Sequence, residues 1–218
     1  MTITKAILVA NDIPILLSGV LAVIFYRRFE KKFKIFSWFL ICSSIIQIIA
    51  LIFWFVRANN MPLLHLYVPL GFVLLAWFYQ AVLESFINKG IIVTVTLLFL
   101  CFSIINSVFF ENIHIFNSNA LTVESILLII FSIFTFIVLL NQQLQSVTRD
   151  VKQSLSWINS GILIYYSTTL LLFYFSNYLM HHHSVNISAF TWMFHSFASI
   201  TMYCCILVGL WKRGRKYH

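Results

Sequence analysis

Charge is scarce in this sequence: Asp, Glu, Lys and Arg make up 9% of its 218 residues, against roughly a quarter in soluble domains. With 61% hydrophobic and 17% aromatic residues, the chain falls outside the water-soluble globular class and belongs in a bilayer. Long polar segments are missing too. The longest loops, near 27–34, 111–119, 141–153 and 179–187, are each about a dozen residues or fewer, too short for an extramembrane catalytic or DNA-binding domain. Residues 1–218 therefore read as one domain. The only prolines, Pro14, Pro62 and Pro69, all lie in the first half, so the second half lacks the matching broken helices of carriers built from two three-helix repeats. Cys42, Cys101, Cys204 and Cys205 have no metal-finger or paired-motif spacing and read as small packing residues. The first apolar segment has neither a basic leader nor a small-x-small cleavage site, and is expected to be an uncleaved anchor.

What is present is a series of apolar runs. A helix needs about 20 apolar residues to cross a hydrocarbon core of about 30 Å, where no backbone polar group can go unpaired. Seven stretches qualify, near 6–26, 35–56, 63–85, 90–110, 120–140, 154–178 and 188–211. The expected fold is all-α, a polytopic membrane protein of seven transmembrane helices. Arg27, Arg28, Lys31, Lys32 and Lys34 follow span one, Lys89 follows span three, Arg149 and Lys152 follow span five, and Lys212, Arg213, Arg215 and Lys216 follow span seven. Only Lys5 and Arg57 fall on the other side. The positive-inside rule then places the N-terminus outside and the C-terminus inside. The net charge of +8 faces anionic lipid or a cytoplasmic signalling partner, not nucleic acid. Trp38, Trp54, Trp157, Trp192 and Trp211 near span ends suit an aromatic belt, with Trp77 deeper. Pro62 suits the first turn of span three, and Asn119 or Ser118 the cap of span five.

Ionisable groups inside a bilayer are costly and mark candidate sites. With about 1.5 Å per residue, Asp12, His65, Glu124 and His195 fall within about 10 Å of the outer ends of spans one, three, five and seven. Together with Tyr67 they form the expected ligand-binding set of an outward-facing pocket. Thr191, His195, Ser199 and Met202 make a stripe on span seven, and His65, Pro69, Phe72, Ala76 and Tyr79 one on span three. Gly19, below Asp12 and Leu16 on span one, permits close helix contact. The Pro69 ring clashes with the carbonyl of His65 four residues back, freeing it for a ligand. Two imidazoles and two carboxylates at one depth could bind a polar ligand, pass protons, or hold a divalent metal such as zinc through His65, His195, Asp12 and Glu124. Plainer roles exist: Glu124 lies in the second turn of its helix, where a negative charge is favoured and water can reach it, and His65 suits an interfacial ring. Gln80, Asn159 and Tyr166, with Ser160, Tyr165 and Glu84, form a second set suited to interhelical hydrogen bonding. His181, His182 and His183 have the form of a metal-capturing tract on an outer loop, and Asn186-Ile187-Ser188 matches a glycosylation acceptor.

The stretches "MPLLHLYVPL", "FNSNALTVES" and "WINSGILIYYS" resemble an abundant group of small, uncharacterised bacterial seven-helix integral membrane proteins, over most of the chain. Length and topology also resemble the seven-helix sensory regions of some bacterial histidine kinases, without the kinase. Retinal proteins need a Schiff-base lysine in the last span; span seven has none, so no retinal is expected. Zinc-dependent membrane hydrolases of the ceramidase and progestin-receptor type combine several His with Asp and Ser. Asp12, His65 and His195 resemble that inventory, but Ser199 stands where the second histidine of the last helix belongs. The leading expectation is a sensor or receptor-like module binding a ligand, ion or proton. An intramembrane metal-dependent hydrolase is the alternative, and a small proton-coupled transporter comes third.

Overall fold

The computed structural model describes residues 10–141, 148–182 and 185–214, of which 178–182 and 185–190 by backbone alone. The side chains of His181, His182 and His183, the Asn186 to Ser188 acceptor, and Lys5, Arg215 and Lys216 lie outside the described residues. Every regular element among those described is helical: α1 Asp12–Phe25, a short 3-10 turn Tyr26–Arg28, α2 Lys31–Phe55, α3 Met61–Val82, α4 Lys89–Ile105 continued by a π-turn Asn106–Phe110, α5 Ser118–Leu140, α6 Arg149–His182 and α7 Val185–Gly214. Six of these, α2 to α7, are long and apolar enough to cross a membrane. The chain is thus a polytopic helical membrane protein. For α2 to α5 and α7 the expected span boundaries fall within a few residues of the observed ends; the expected start of span one lies outside the described residues, and the 34 residues of α6 exceed the expected apolar run. An apolar window marks only where the oil is; Arg149 to Gln153 and Ser176 to His182 continue the helix into polar surroundings.

Packing contacts close α1, α2, α3, α5, α6 and α7 into a ring, with α4 lying outside it against α3 and α5. Chain neighbours in the ring are antiparallel. Gly19 of α1 meets Ser44 of α2, Gly71 of α3 faces Phe39 of α2, and Gly161 and Gly209 pack α6 and α7 together against Met202, Cys205 and Ile158. The two ends of the bundle are defined by side chains. At one, Arg213 pairs with Glu30 and Lys212 donates to Gln153 at 3.4 Å, which gathers the α1–α2 turn, the start of α6 and the end of α7. At the other, Asn59 donates to the His114 carbonyl at 3.0 Å and Asn177 reaches Glu111 at 2.8 Å. The described basic clusters, Arg27 to Lys34, Arg149 with Lys152, and Lys212 with Arg213, all fall at the first end.

The surface and the interior have exchanged their usual contents. Ile13, Val23, Ile24, Phe55, Phe109, Phe110, Leu140 and Trp211 are exposed, while Ser18, Ser37, Ser43, Ser125, Ser132, Thr135, Asn159 and Ser176 are buried. Lipid accepts the first set. The second stays dry because its hydroxyls are satisfied locally: Ser37, Ser43, Ser125, Thr135 and Ser176 each donate to the carbonyl four residues back, at 2.6 to 2.9 Å. The aromatic layers Phe36 on Phe78, 4.8 Å between centroids, and Phe72 on Phe99, 4.2 Å, fill the space between α2, α3 and α4.

Helix α2 ends in a six-residue closure. Ala58 N donates to Phe53 O at 2.9 Å and Arg57 N to Trp54 O at 3.2 Å, with Arg57 in the left-handed region at φ 58. Glycine normally holds that position, because a Cβ there costs roughly 1 kcal/mol or more. Arg57→Gly is therefore expected to stabilise the protein by about 1 kcal/mol, read as a raised midpoint of thermal unfolding in detergent. A lowered midpoint would show that the arginine head group, and not the backbone, decides the position.

Candidate functional site

A polar network occupies the interior of the ring. The Glu124 carboxyl, 4% exposed in the second turn of α5, lies beside Tyr166 of α6. Tyr67 of α3 and Tyr165 of α6 lie within electrostatic reach of the same carboxyl. Tyr67 shares a 2.9 Å hydrogen bond with Ser43 of α2, and Tyr203 of α7 lies beside that pair. The Tyr165 hydroxyl lies 2.9 Å from Nε2 of His195 on α7. That imidazole is boxed in by aromatic rings, with centroids of Trp192, Tyr165 and Phe173 at 5.6, 5.7 and 5.8 Å. Residues of α3 and α6 thus lie beside the carboxyl of α5, and through them the network extends to Ser43 of α2 and His195 of α7. The adjacent residues Tyr165 and Tyr166 connect its halves, their rings edge-to-face at 4.9 Å.

Nearer the basic end a second polar set ties three helices. Tyr79 of α3 is 2.7 Å from Ser132 of α5 and donates to Asn159 Oδ1 of α6 at 3.0 Å, while Asn159 Nδ2 donates to the Ser132 carbonyl at 2.9 Å. Both polar atoms of the Asn159 amide thus have a partner inside the bundle. Gln80, one residue on from Tyr79, is half-buried on α3.

The opposite end is closed by a cluster that nothing in the sequence reading singled out. Glu111, 5% exposed, accepts from Asn106 Nδ2 at 2.8 Å, Asn177 Nδ2 at 2.8 Å and the Asn119 backbone N–H at 3.1 Å. Asn106 also donates to Asn117 at 3.1 Å and accepts from Asn119 Nδ2 at 3.0 Å. The π-turn explains the placement. Its wider coil, closed by Glu111 N donating to Asn106 O at 2.8 Å, turns Asn106 inward and leaves Val108, Phe109 and Phe110 facing outward. Asn119 and Ser118, expected as caps of α5, instead make tertiary contacts: Ser118 donates to the Phe173 carbonyl. The first free amide of α5 is met by Glu111 from the loop, which is chemically the same service from elsewhere in the chain.

The four residues expected to share an outward-facing site take separate partners. Asp12 accepts from Gln47 of α2 at 2.7 Å. His65 is 2.8 Å from Ser107 and 3.1 Å from the Ile115 carbonyl, pinning α3 to the segment between α4 and α5. Glu124 and His195 join the interior network through Tyr166 and Tyr165 respectively. Helix α3 runs unbroken through Pro69, and it is the imidazole of His65 that makes the long-range contacts. Among the described residues no three His, Cys, Asp or Glu side chains come together as a metal site. The four-ligand centre of His65, His195, Asp12 and Glu124 is therefore not formed, because His65 is drawn toward α4 and Asp12 toward α2. What the sequence did not reveal is Tyr203 and Ser43, which stand on unremarkable apolar stretches, and the joining of Tyr67, Tyr165 and Tyr166, expected in two separate sets, into one network. Comparison with family models, with curated proteins and with solved structures gives no match.

Proposed function

We propose that this protein is a non-enzymatic sensor, receptor-like in design, that crosses a bacterial inner membrane seven times with its N-terminus outside. The observation that carries the reading is the Glu124 carboxyl, buried beside Tyr166, Tyr165 and Tyr67 of α6 and α3, which link on to Ser43 of α2 and His195 of α7. A buried carboxyl joined to that many helices converts any change in its own charge or hydrogen bonding into a change of packing around the ring. At 4% exposure, a proton or a single ion reaches it without parting the helices, and such a stimulus suits the geometry better than a large ligand. Output leaves through the basic end, where the α1–α2 turn, the start of α6 and the end of α7 meet through Arg213–Glu30 and Lys212–Gln153. The cytoplasmic signalling partner of this reading would meet that face, and the clustering of Arg27 to Lys34, Arg149, Lys152, Lys212 and Arg213 there supports it.

The test is spectroscopic. In lipid nanodiscs, tyrosine and tryptophan fluorescence of the wild type is expected to pass through a reversible transition on pH titration, or on titration with a monovalent or divalent cation. Glu124→Gln is expected to remove the transition, and Asp12→Asn to leave it in place. A wild type that does not respond, or a Glu124→Gln variant that titrates like it, would sink the reading.

A further inference from the structure

At the basic end, the Tyr26–Arg28 turn, α2 and α3 leave a recess between them of about 350 Å³, lined by Tyr26, Lys31, Lys34, Ile35, Trp38 and Trp77. The size is at the lower end of about 300–1,000 Å³ for small-molecule sites. Its lining is graded. Lys31 and Lys34, three apart on one face of α2, and the Tyr26 hydroxyl make one end polar; Ile35, Trp38 and Trp77 make the other apolar. Both indoles are about half exposed, at 49% and 47%.

The polar end is set up for an anion. The Lys34 ammonium lies 5.9 Å from the Tyr26 ring centroid. The Trp38 indole N–H donates to the Tyr26 hydroxyl at 3.2 Å, which leaves the hydroxyl proton free to donate into the recess. The carboxylate next in the chain, Glu30, is taken by Arg213 of α7, and among the described residues neither lysine has an ion-pair partner. Two ammonium groups and a hydroxyl therefore stand beside a slot walled by two indoles, at the level where a helix bundle leaves the hydrocarbon.

We infer that this recess binds the phosphodiester headgroup of an anionic phospholipid, with Lys31, Lys34 and Tyr26 on the phosphate and the upper acyl chain between Trp38 and Trp77. The ligand is amphipathic in the same order as the lining. A soluble phosphate would use the polar end alone and leave the indole walls empty. A lipid held here bridges the Tyr26–Arg28 turn, α2 and α3 beside the Arg213–Glu30 pair, so membrane composition acts on the same end of the bundle from which a signal would leave. The lipid site stands on the recess itself and does not depend on the sensor reading.

The test measures phosphatidylglycerol retained by the purified protein in native mass spectrometry, with phosphatidylcholine as the neutral lipid. Wild type is expected to keep phosphatidylglycerol in preference to phosphatidylcholine, and Lys31→Gln with Lys34→Gln to weaken retention about tenfold. Lys89→Gln with Lys152→Gln, which removes the same charge elsewhere, is expected to change nothing. Trp77→Ala, which keeps all charge, is expected to weaken phosphatidylglycerol several-fold and not to alter binding of glycerol 3-phosphate. Equal loss in the two lysine pairs would reduce the effect to general surface charge and overturn the site. Full competition by glycerol 3-phosphate would overturn the lipid assignment in favour of a soluble phosphate.

Discussion

Glu111→Ala is expected to be the most damaging single replacement at the end of the bundle opposite the basic clusters. The carboxylate accepts from Asn106, Asn177 and the Asn119 backbone, so its removal takes away three charge-assisted hydrogen bonds at once, although Asn106 and Asn177 keep second acceptors in Asn117 and the Phe116 carbonyl. Hydrogen bonds to a charged group contribute roughly 1.5–3 kcal/mol each, giving a loss of about 4 kcal/mol and a fall in melting temperature on the order of 10 °C. Glu111→Gln should cost about half as much, since one carbonyl oxygen remains to accept while the new amide opposes a donor. Thermal unfolding in detergent checks both. If the alanine variant melts with the wild type, the cluster is not what fastens α6 to the segment between α4 and α5.

One substitution, glycine to alanine, is expected to have opposite signs at two positions. A Cβ on Gly161 would stand 2.8 Å from the Met202 carbonyl oxygen and 2.9 Å from Cys205 Cβ, and backbone cannot step aside as a flexible side chain can. Helices α6 and α7 would have to part, at a cost of about 1–3 kcal/mol. A Cβ on Gly71 would meet nothing closer than Tyr67 at 3.6 Å, an ordinary contact, and the helix interior gains about 0.5–1 kcal/mol from the loss of glycine. Gly161→Ala should thus lower, and Gly71→Ala raise, the unfolding midpoint under the same conditions. Two shifts of the same sign would mean that α6 and α7 do not meet as closely as described.

The legible part of this protein was what oil imposes. Apolar length placed the helices to within a few residues, because a buried backbone must be helical over the whole hydrocarbon thickness; it said nothing of how far α6 continues beyond. The site was legible by residue type and not by partner. Glu124 and His195 were singled out because charge inside a membrane is conspicuous, yet grouping them with Asp12 and His65 assumed that equal depth means contact. Depth is one coordinate, and the ring decides the others: α4 lies outside, and His65 turns toward it to meet Ser107. Glu111 escaped notice for the reverse reason. In the sequence it is an ordinary loop carboxylate, and its partner Asn177 stands 66 residues away.

The place of α4 outside the ring has an electrical consequence. With the return path taken outside, α3 and α5 become neighbours running in the same direction, and α7 closes on α1 in the same way. Four ring helices then run toward the basic end and two, α2 and α6, run away from it. Each helix behaves as about half a unit charge at either terminus, so the imbalance of two leaves the ring polarised by about one unit, negative at the end that carries Arg213 and Lys212. At the positive end the amide of Asn119 in α5 meets Glu111 at 3.1 Å. Side-chain charge and backbone polarity therefore offset each other at both ends of the bundle. A seventh helix inserted into the ring, antiparallel between α3 and α5, would halve that polarity; outside it, α4 leaves the field along the ring axis to fall across Glu124.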